Sequence, residues 1–142
     1  EIYTLSLHDA LPISLVGNIC LDSTGAGLYI EGSTASLRNF IVWDNSTDQI
    51  VQSTAAVLSV TYSDVQGGFA GTGNIDQDPR FAFNADGMPL LAGNSPCIDA
   101  GTATNAPNRD IRGISRPWGR AYDMGPYEIV VWQPQLPLLL LE

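Results

Sequence analysis

The chain of 142 residues has no lysine, a single histidine, His8, and only two cysteines, Cys20 and Cys97. Its cations are six arginines, Arg38, Arg80, Arg109, Arg112, Arg116 and Arg120, set against 15 acidic residues for a formal net charge of −9. A surface of that sign repels polyphosphates and anionic headgroups, so nucleic acid and anionic membranes are excluded as partners. The cysteines lie far apart, with neither metal-ligand spacing nor the density of a disulfide scaffold, and are expected as two separately buried thiols. The four consecutive leucines Leu138 to Leu141 fall far short of the roughly 20 apolar residues of a spanning helix, so no membrane span is expected. No Gly-x-Ser-x-Gly elbow, phosphate loop or zinc spacing occurs, which removes the commonest motif-borne chemistries.

What the chain does have is 14 glycines, nine prolines, abundant Ser, Thr, Asn and Asp, and many Val, Ile and Tyr. That mixture favours short strands joined by frequent turns, and an all-β class follows. The strands repeat. Ser14 to Asn18 aligns with Ile41 to Asn45, an offset of 27, and Leu37 to Val42 aligns with Val60 to Val65, an offset of 23, with Asn45 over Gly68. Periods in the twenties, with β-branched runs and Asn or Gly at the corners, fit the coils of a parallel β-helix; the Leu spacing of leucine-rich repeats is missing. The unequal offsets assign a longer loop to one coil, at Leu21 to Ala26.

Within the coils, Gly27 to Glu31 and Gln49 to Val51 are expected to stack on one face, and Ala35 to Arg38 and Val57 to Thr61 on the next. The two-residue period of a strand turns Leu37 and Val60 inward and Arg38 and Thr61 outward. Val42 and Val65 return to the core after a bend at Asn39 or Tyr62. Two or three coils make a thin stack, because each coil buries its apolar edge only against its neighbours. The chain is therefore expected to be the closing part of a longer solenoid.

Residues 1–14, EIYTLSLHDALPIS, are unlike the rest and resemble the translation of a common short-read sequencing adapter. They are set aside as an artefact, with the natural sequence expected to begin near Leu15. His8 then has no role, and the alternating Ile2 to Leu7, if drawn as a strand, would be an accidental one. The segment has no basic n-region and no sustained apolar run, so it does not fit a signal peptide.

The repeat stops after Gly67-Gly68, and residues 71–128, rich in Pro and Gly, are expected as loops and brief strands wrapped on the last coil. Asp76 and Asp78, two apart after a Gly-rich approach, are the candidate oxygen ligands for calcium. The spacing of an EF-hand or nonapeptide loop is absent, and an Asx-type turn before Pro79 is the favoured reading. Leu90, Leu91, Ile98, Met124 and Tyr127 are the expected apolar anchors. Four arginines between Arg109 and Arg120 fall among Asp99, Asp110, Asp123 and Glu128. The alternatives are a small cationic groove for an acidic polysaccharide or a set of internal Arg-carboxylate pairs, and the balance of signs favours the pairs.

Three ordered motifs stand in this segment: Ser95-Pro96-Cys97-Ile98-Asp99-Ala100-Gly101, then Asp110-Ile111-Arg112-Gly113 with Arg116-Pro117, then Asp123-Met124-Gly125-Pro126-Tyr127-Glu128. Together they resemble the closing segment of bacterial right-handed parallel β-helix proteins, in particular the choice-of-anchor Q group of cell-surface proteins. The resemblance covers about residues 15–128 and is specific only in the cap. It implies a right-handed, pectate lyase-like solenoid in residues 15–70 and a C-terminal cap in residues 71–128. It also implies a structural cap role for Cys97, Asp99, Asp110, Arg112, Arg116, Asp123, Tyr127 and Glu128. Pro126 departs from the family's usual small residue. In the tail, residues 129–142, Ile129 to Trp132 reads as a strand, and no sorting motif follows.

The functional expectation is a non-catalytic, monomeric part of a secreted or cell-surface bacterial protein, offering a surface to a polysaccharide, cell-surface glycan or host matrix. It carries no catalytic residue and no cofactor beyond the calcium candidate. The alternative is a fragment of a polysaccharide lyase or glycoside hydrolase whose active site lies on coils upstream. An autotransporter passenger is a third reading. Against an enzyme here, Asp44 aligns over Gly67 and Asp64 under Ile41, so these carboxylates share no column. Arg38 has no carboxylate stacked on it.

Overall fold

A computed structural model describes residues 12–18, 26–85 and 87–130. Nine strands and no helix occur among the described residues, so the chain is all-β. His8, Cys20, the Ile2 to Leu7 stretch, residues 21–25 of the expected long loop and residues 131–142 lie outside them.

Seven strands come first: β1 (Ser14–Val16), β2 (Ala26–Ile30), β3 (Thr34–Arg38), β4 (Ile41–Trp43), β5 (Asp48–Gln52), β6 (Val57–Thr61) and β7 (Asp64–Val65). The first four each pair in parallel with the strand three places on, giving sheets β1-β4-β7, β2-β5 and β3-β6. The expected registers are present. Leu15 pairs with Val42 at an offset of 27, and Leu37 with Val60 and Val42 with Val65 at an offset of 23. In the β2-β5 pair Leu28 faces Ile50.

The corners recur once in each repeat. Gly17, Asp44 and Gly67 occupy one corner column and all have positive φ, at 65°, 54° and 83°. Asn39 and Tyr62 form a second column at 59° and 49°. Few residues other than Gly, Asn and Asp tolerate this left-handed region, so each column marks where the chain must turn. Tyr62 is the costly member, and its carbonyl accepts the Asn39 N–H at 3.1 Å. Behind the first corner Asn18 donates to the Asn45 amide oxygen, and Asn45 donates in turn to Leu15 O and to Gln49 Oε1, linking neighbouring turns of chain by side-chain amides.

Between the sheets Leu37, Phe40, Val42, Val60 and Val65 form a buried core, with Leu15, Leu28, Ile50, Leu58 and Phe69 packed against it. The β1-β4-β7 sheet buries both faces. Val42 enters this core, while its neighbour Ile41 faces the other way into a second cluster with Leu91, Cys97 and Met124. Two adjacent apolar residues with no exposure are the mark of a strand covered on both sides.

The chain after β7 covers two surfaces of these sheets. Phe69 and the stretch to Ile75 cover the end, Thr72 O accepting the Tyr62 N–H and Ile75 pairing with Asp64. The remainder lies along the outer face of the β1-β4-β7 sheet, because Ile41 presents an apolar surface there that Met124 and Cys97 bury. It contains one antiparallel hairpin, β8 (Phe81–Phe83) with β9 (Pro89–Leu91). Leu91, Met124 and Tyr127 are buried as expected of anchors, and Leu90 and Ile98 are half-buried. Of the strand expected at Ile129 to Trp132 only residues 129 and 130 are described, and neither lies in a strand. The Ile129 N–H donates 2.6 Å to Asp123 Oδ2, which takes it out of any ladder.

Candidate functional site

The polar residues singled out in the cap come together in one buried network. Its centre is the Arg116–Glu128 ion pair, Nε to Oε2 at 2.7 Å, with side chains only 1% and 0% exposed. Two charges without water need their buried donors and acceptors satisfied, and no buried side-chain nitrogen or oxygen among the described residues lacks a hydrogen-bond partner. Arg116 Nη2 donates to the carbonyls of Asp123 and Gly125 at 2.6 and 3.1 Å, while Glu128 Oε1 accepts the Trp118 N–H at 2.9 Å. The guanidinium also lies over the Tyr122 ring at 5.4 Å.

Asp110 is the second node. Its Oδ1 accepts the N–H groups of Arg112 and Ile114, and its Oδ2 accepts Glu128 N–H and Arg112 Nε. Burial pushes its pKa up, but these four donors together outweigh that and hold the carboxyl below the usual range. Arg112 reaches on to the Glu128 carbonyl at 2.6 Å and lies over the Tyr127 ring at 5.1 Å. The internal pairing expected for these arginines is therefore seen at Arg112 and Arg116. Arg109 donates instead to Gly113 O and Arg80 to Asn94 O.

Asp99 and Asp123 tie the loop ends. Asp99, in the left-handed region at φ 57°, accepts the N–H groups of Arg120 and Ala121 on Oδ1 and donates its own N–H to Asp123 Oδ1. Gly119 suits this contact, since a Cβ there would collide with the Asp99 carboxylate oxygen that holds these two N–H groups. Asp123 is pushed up to about 6, by burial first and then by the nearby charges of Glu128 and Asp99. The network is fastened to the sheets by Asn39, whose side chain exchanges two 2.8 Å bonds with the Thr102 backbone and whose carbonyl accepts the Gly125 N–H.

Cys97 occupies a different position from these carboxylates. It is fully buried, and its thiol donates to Asp64 Oδ2 at 3.1 Å. Burial, with the Asp64 charge beside it, pushes the thiol pKa far up, so it stays protonated. Asp64 is itself fully buried, and burial raises it to about 6 despite bonds from Cys97 and the Gln77 N–H. An unreactive thiol facing a carboxylate is a structural contact and lacks the ionised sulfur that nucleophilic chemistry needs.

Asp76 and Asp78 each accept a backbone N–H. Asp76 Oδ1 accepts the Gly67 N–H at 3.1 Å, and Asp78 Oδ1 accepts the Arg80 N–H at 2.9 Å across buried Pro79, which is an Asx-type turn. Among the described residues no three His, Cys, Asp or Glu side chains are grouped as a metal site. No helix among them is long and apolar enough to cross a membrane.

Two members of this arrangement were not singled out from sequence. Asp64 pairs with Ile41, and a carboxylate entering an apolar column is the signal that it has a buried partner. Asn39 was seen only as a bend, though an Asn at a left-handed corner leaves its amide free to bracket a loop. In comparisons with known proteins, no family model, no curated protein and no solved structure matches the chain.

Proposed function

We propose that this chain is the closing part of a right-handed parallel β-helix, non-catalytic, from a secreted or cell-surface bacterial protein, whose stacked turns offer a stable surface to a glycan or matrix partner. The observation that carries the reading is the use of the buried carboxylates. Asp64, Asp110, Asp123 and Glu128 each hold backbone N–H groups, an arginine or a thiol, and point into the protein's own packing. A hydrolytic or eliminating site needs carboxylates aimed at a cleft with room for substrate. Support for the coiled path comes from strand order, β1 to β4 each pairing in parallel with the strand three places later. The resemblance of Ser95 to Glu128 to closing segments of surface proteins supports the location and the glycan or matrix partner.

A crystal structure and an activity assay test this together. Right-handed winding is expected, with no release of product from polygalacturonate or xylan, with or without calcium. Left-handed winding would remove the fold reading. Product release that is lost on changing a carboxylate of this chain would replace the scaffold with an enzyme.

A further inference from the structure

Three strand edges face away from the first turn of chain, and the molecule covers two of them. The edge of β7 is taken by Ile75, whose carbonyl accepts the Val65 N–H, and that of β6 by Thr72 and the Asn74 side chain, which bonds Val60 O. The edge of β5 has no partner among the described residues. An offset of 23 from Asp48 would bring the next strand to Gly71, but after Gly67-Gly68 the chain cuts inward. Phe69 packs on the core and residues 71–75 cross to β6 and β7.

Beside this edge is an open groove of about 530 Å³ whose lining includes Asp44, Asp48, Gln49 and Ile50 from one turn of chain and Gln66 to Phe69 from the next. Neither Asp44 nor Asp48 has an ion-pair partner among the described residues, and both are exposed. Gln66, also in the groove lining, accepts the Asp44 N–H on its Oε1 at 2.8 Å.

We infer that this groove is a docking site for an extended basic peptide, which adds in parallel to the free edge of β5 and sets an arginine or lysine against Asp44 and Asp48. A strand edge offers donors and acceptors in alternation at fixed spacing, and a peptide backbone matches both. A glycan is less well served. The aromatic on the groove wall, Phe69, is committed to the core and presents no free stacking face. A second copy of this chain is disfavoured by charge, since it would bring another net −9 and the same two carboxylates to the contact.

Fluorescence anisotropy with the full chain tests this, using three labelled peptides: alternating Val and Arg, alternating Val and Glu, and the Val-Arg peptide N-methylated along one edge. Saturable one-to-one binding of the Val-Arg peptide alone is expected, with its amide perturbations centred on β5 by NMR. The double variant D44N/D48N should weaken it about ten-fold, since two exposed ion pairs are lost. Asn keeps the left-handed corner at residue 44, so the fold stays intact. Equal binding of the Val-Glu or the N-methylated peptide, or no binding, overturns the proposal. So does displacement of the Val-Arg peptide by a neutral oligosaccharide such as cellotetraose, which would give the groove to a glycan.

Discussion

The stacked strands and the cap are held by opposite means. From Ala26 to Val65 stability comes from columns of like residues, Leu37 on Val60 and Val42 on Val65, with backbone ladders between them. From Ser95 to Ile129 there is almost no ladder, and buried carboxylates do its work by accepting backbone N–H groups from several loops. A column is redundant, since each member makes similar contacts above and below. A carboxylate node is not, because each oxygen serves particular donors and leaves them unpaired if it goes.

The largest expected loss follows from that contrast. Arg116→Ala would leave Glu128 buried and uncompensated, together with two orphaned carbonyls, and breaking a buried pair this way costs about 3–5 kcal/mol. Urea unfolding should show it as a large fall in midpoint, while Arg116→Lys should recover little because one ammonium cannot reproduce the fork. In the stack, Leu37→Ala should cost less, about 3 kcal/mol, the usual price of a methyl-lined cavity. If Leu37→Ala proved the worse of the two, the cap would be an accessory to the stack and not an equal part of the fold.

The stack was legible in the sequence because its determinants recur. Offsets of 27 and 23 came from aligned apolar runs, and the corners at Asn39, Asp44 and Gly67 announce themselves through residue type. The cap's residues were legible as a set, through their motifs and balanced signs, yet their partners were not. Asp110 chooses Arg112, and Glu128 chooses Arg116 over Arg120, which is nearer in sequence, and only the path of the loops decides that. The side-on placement of the cap was hidden for the same reason. Ile41 beside Val42 tells that both faces of β4 are covered, but not that residues about 55 and 85 positions later, Cys97 and Met124, do the covering.

A smaller effect separates the two regions by pH. Asp64, at the join, and Asp123, in the cap, are raised from 3.8 to about 6, so each binds its proton more tightly folded than unfolded. Folding is therefore favoured as pH falls through 6, and the gain is complete below about 4, where the unfolded carboxyls are protonated too. From pH 7 to pH 5 the two together should add on the order of 2 kcal/mol. Asp110, held low by its donors, has the opposite sign and gives up its stability as acid titrates it below the ordinary carboxylate range. Urea midpoints should thus rise from pH 7 to pH 5 and fall again below pH 4, and Asp64→Asn should remove about half of the rise. A midpoint that declined steadily from pH 7 would mean that water reaches these carboxylates.

The smallest effect lies where stack gives way to cap. Asp78 caps a single backbone N–H, that of Arg80, at an exposed turn, so Asp78→Ala should cost only about 0.5 kcal/mol, the low end for one hydrogen bond. Calcium sharpens the test, because Asp76 and Asp78 each already accept a backbone N–H and no third acidic side chain is grouped with them among the described residues. Millimolar calcium should leave the thermal midpoint of the wild-type chain where it is. A rise that Asp78→Ala and Asp76→Ala each abolish would reassign both carboxylates from holding a backbone N–H to metal binding, and the join between the two regions would then be fastened by an ion.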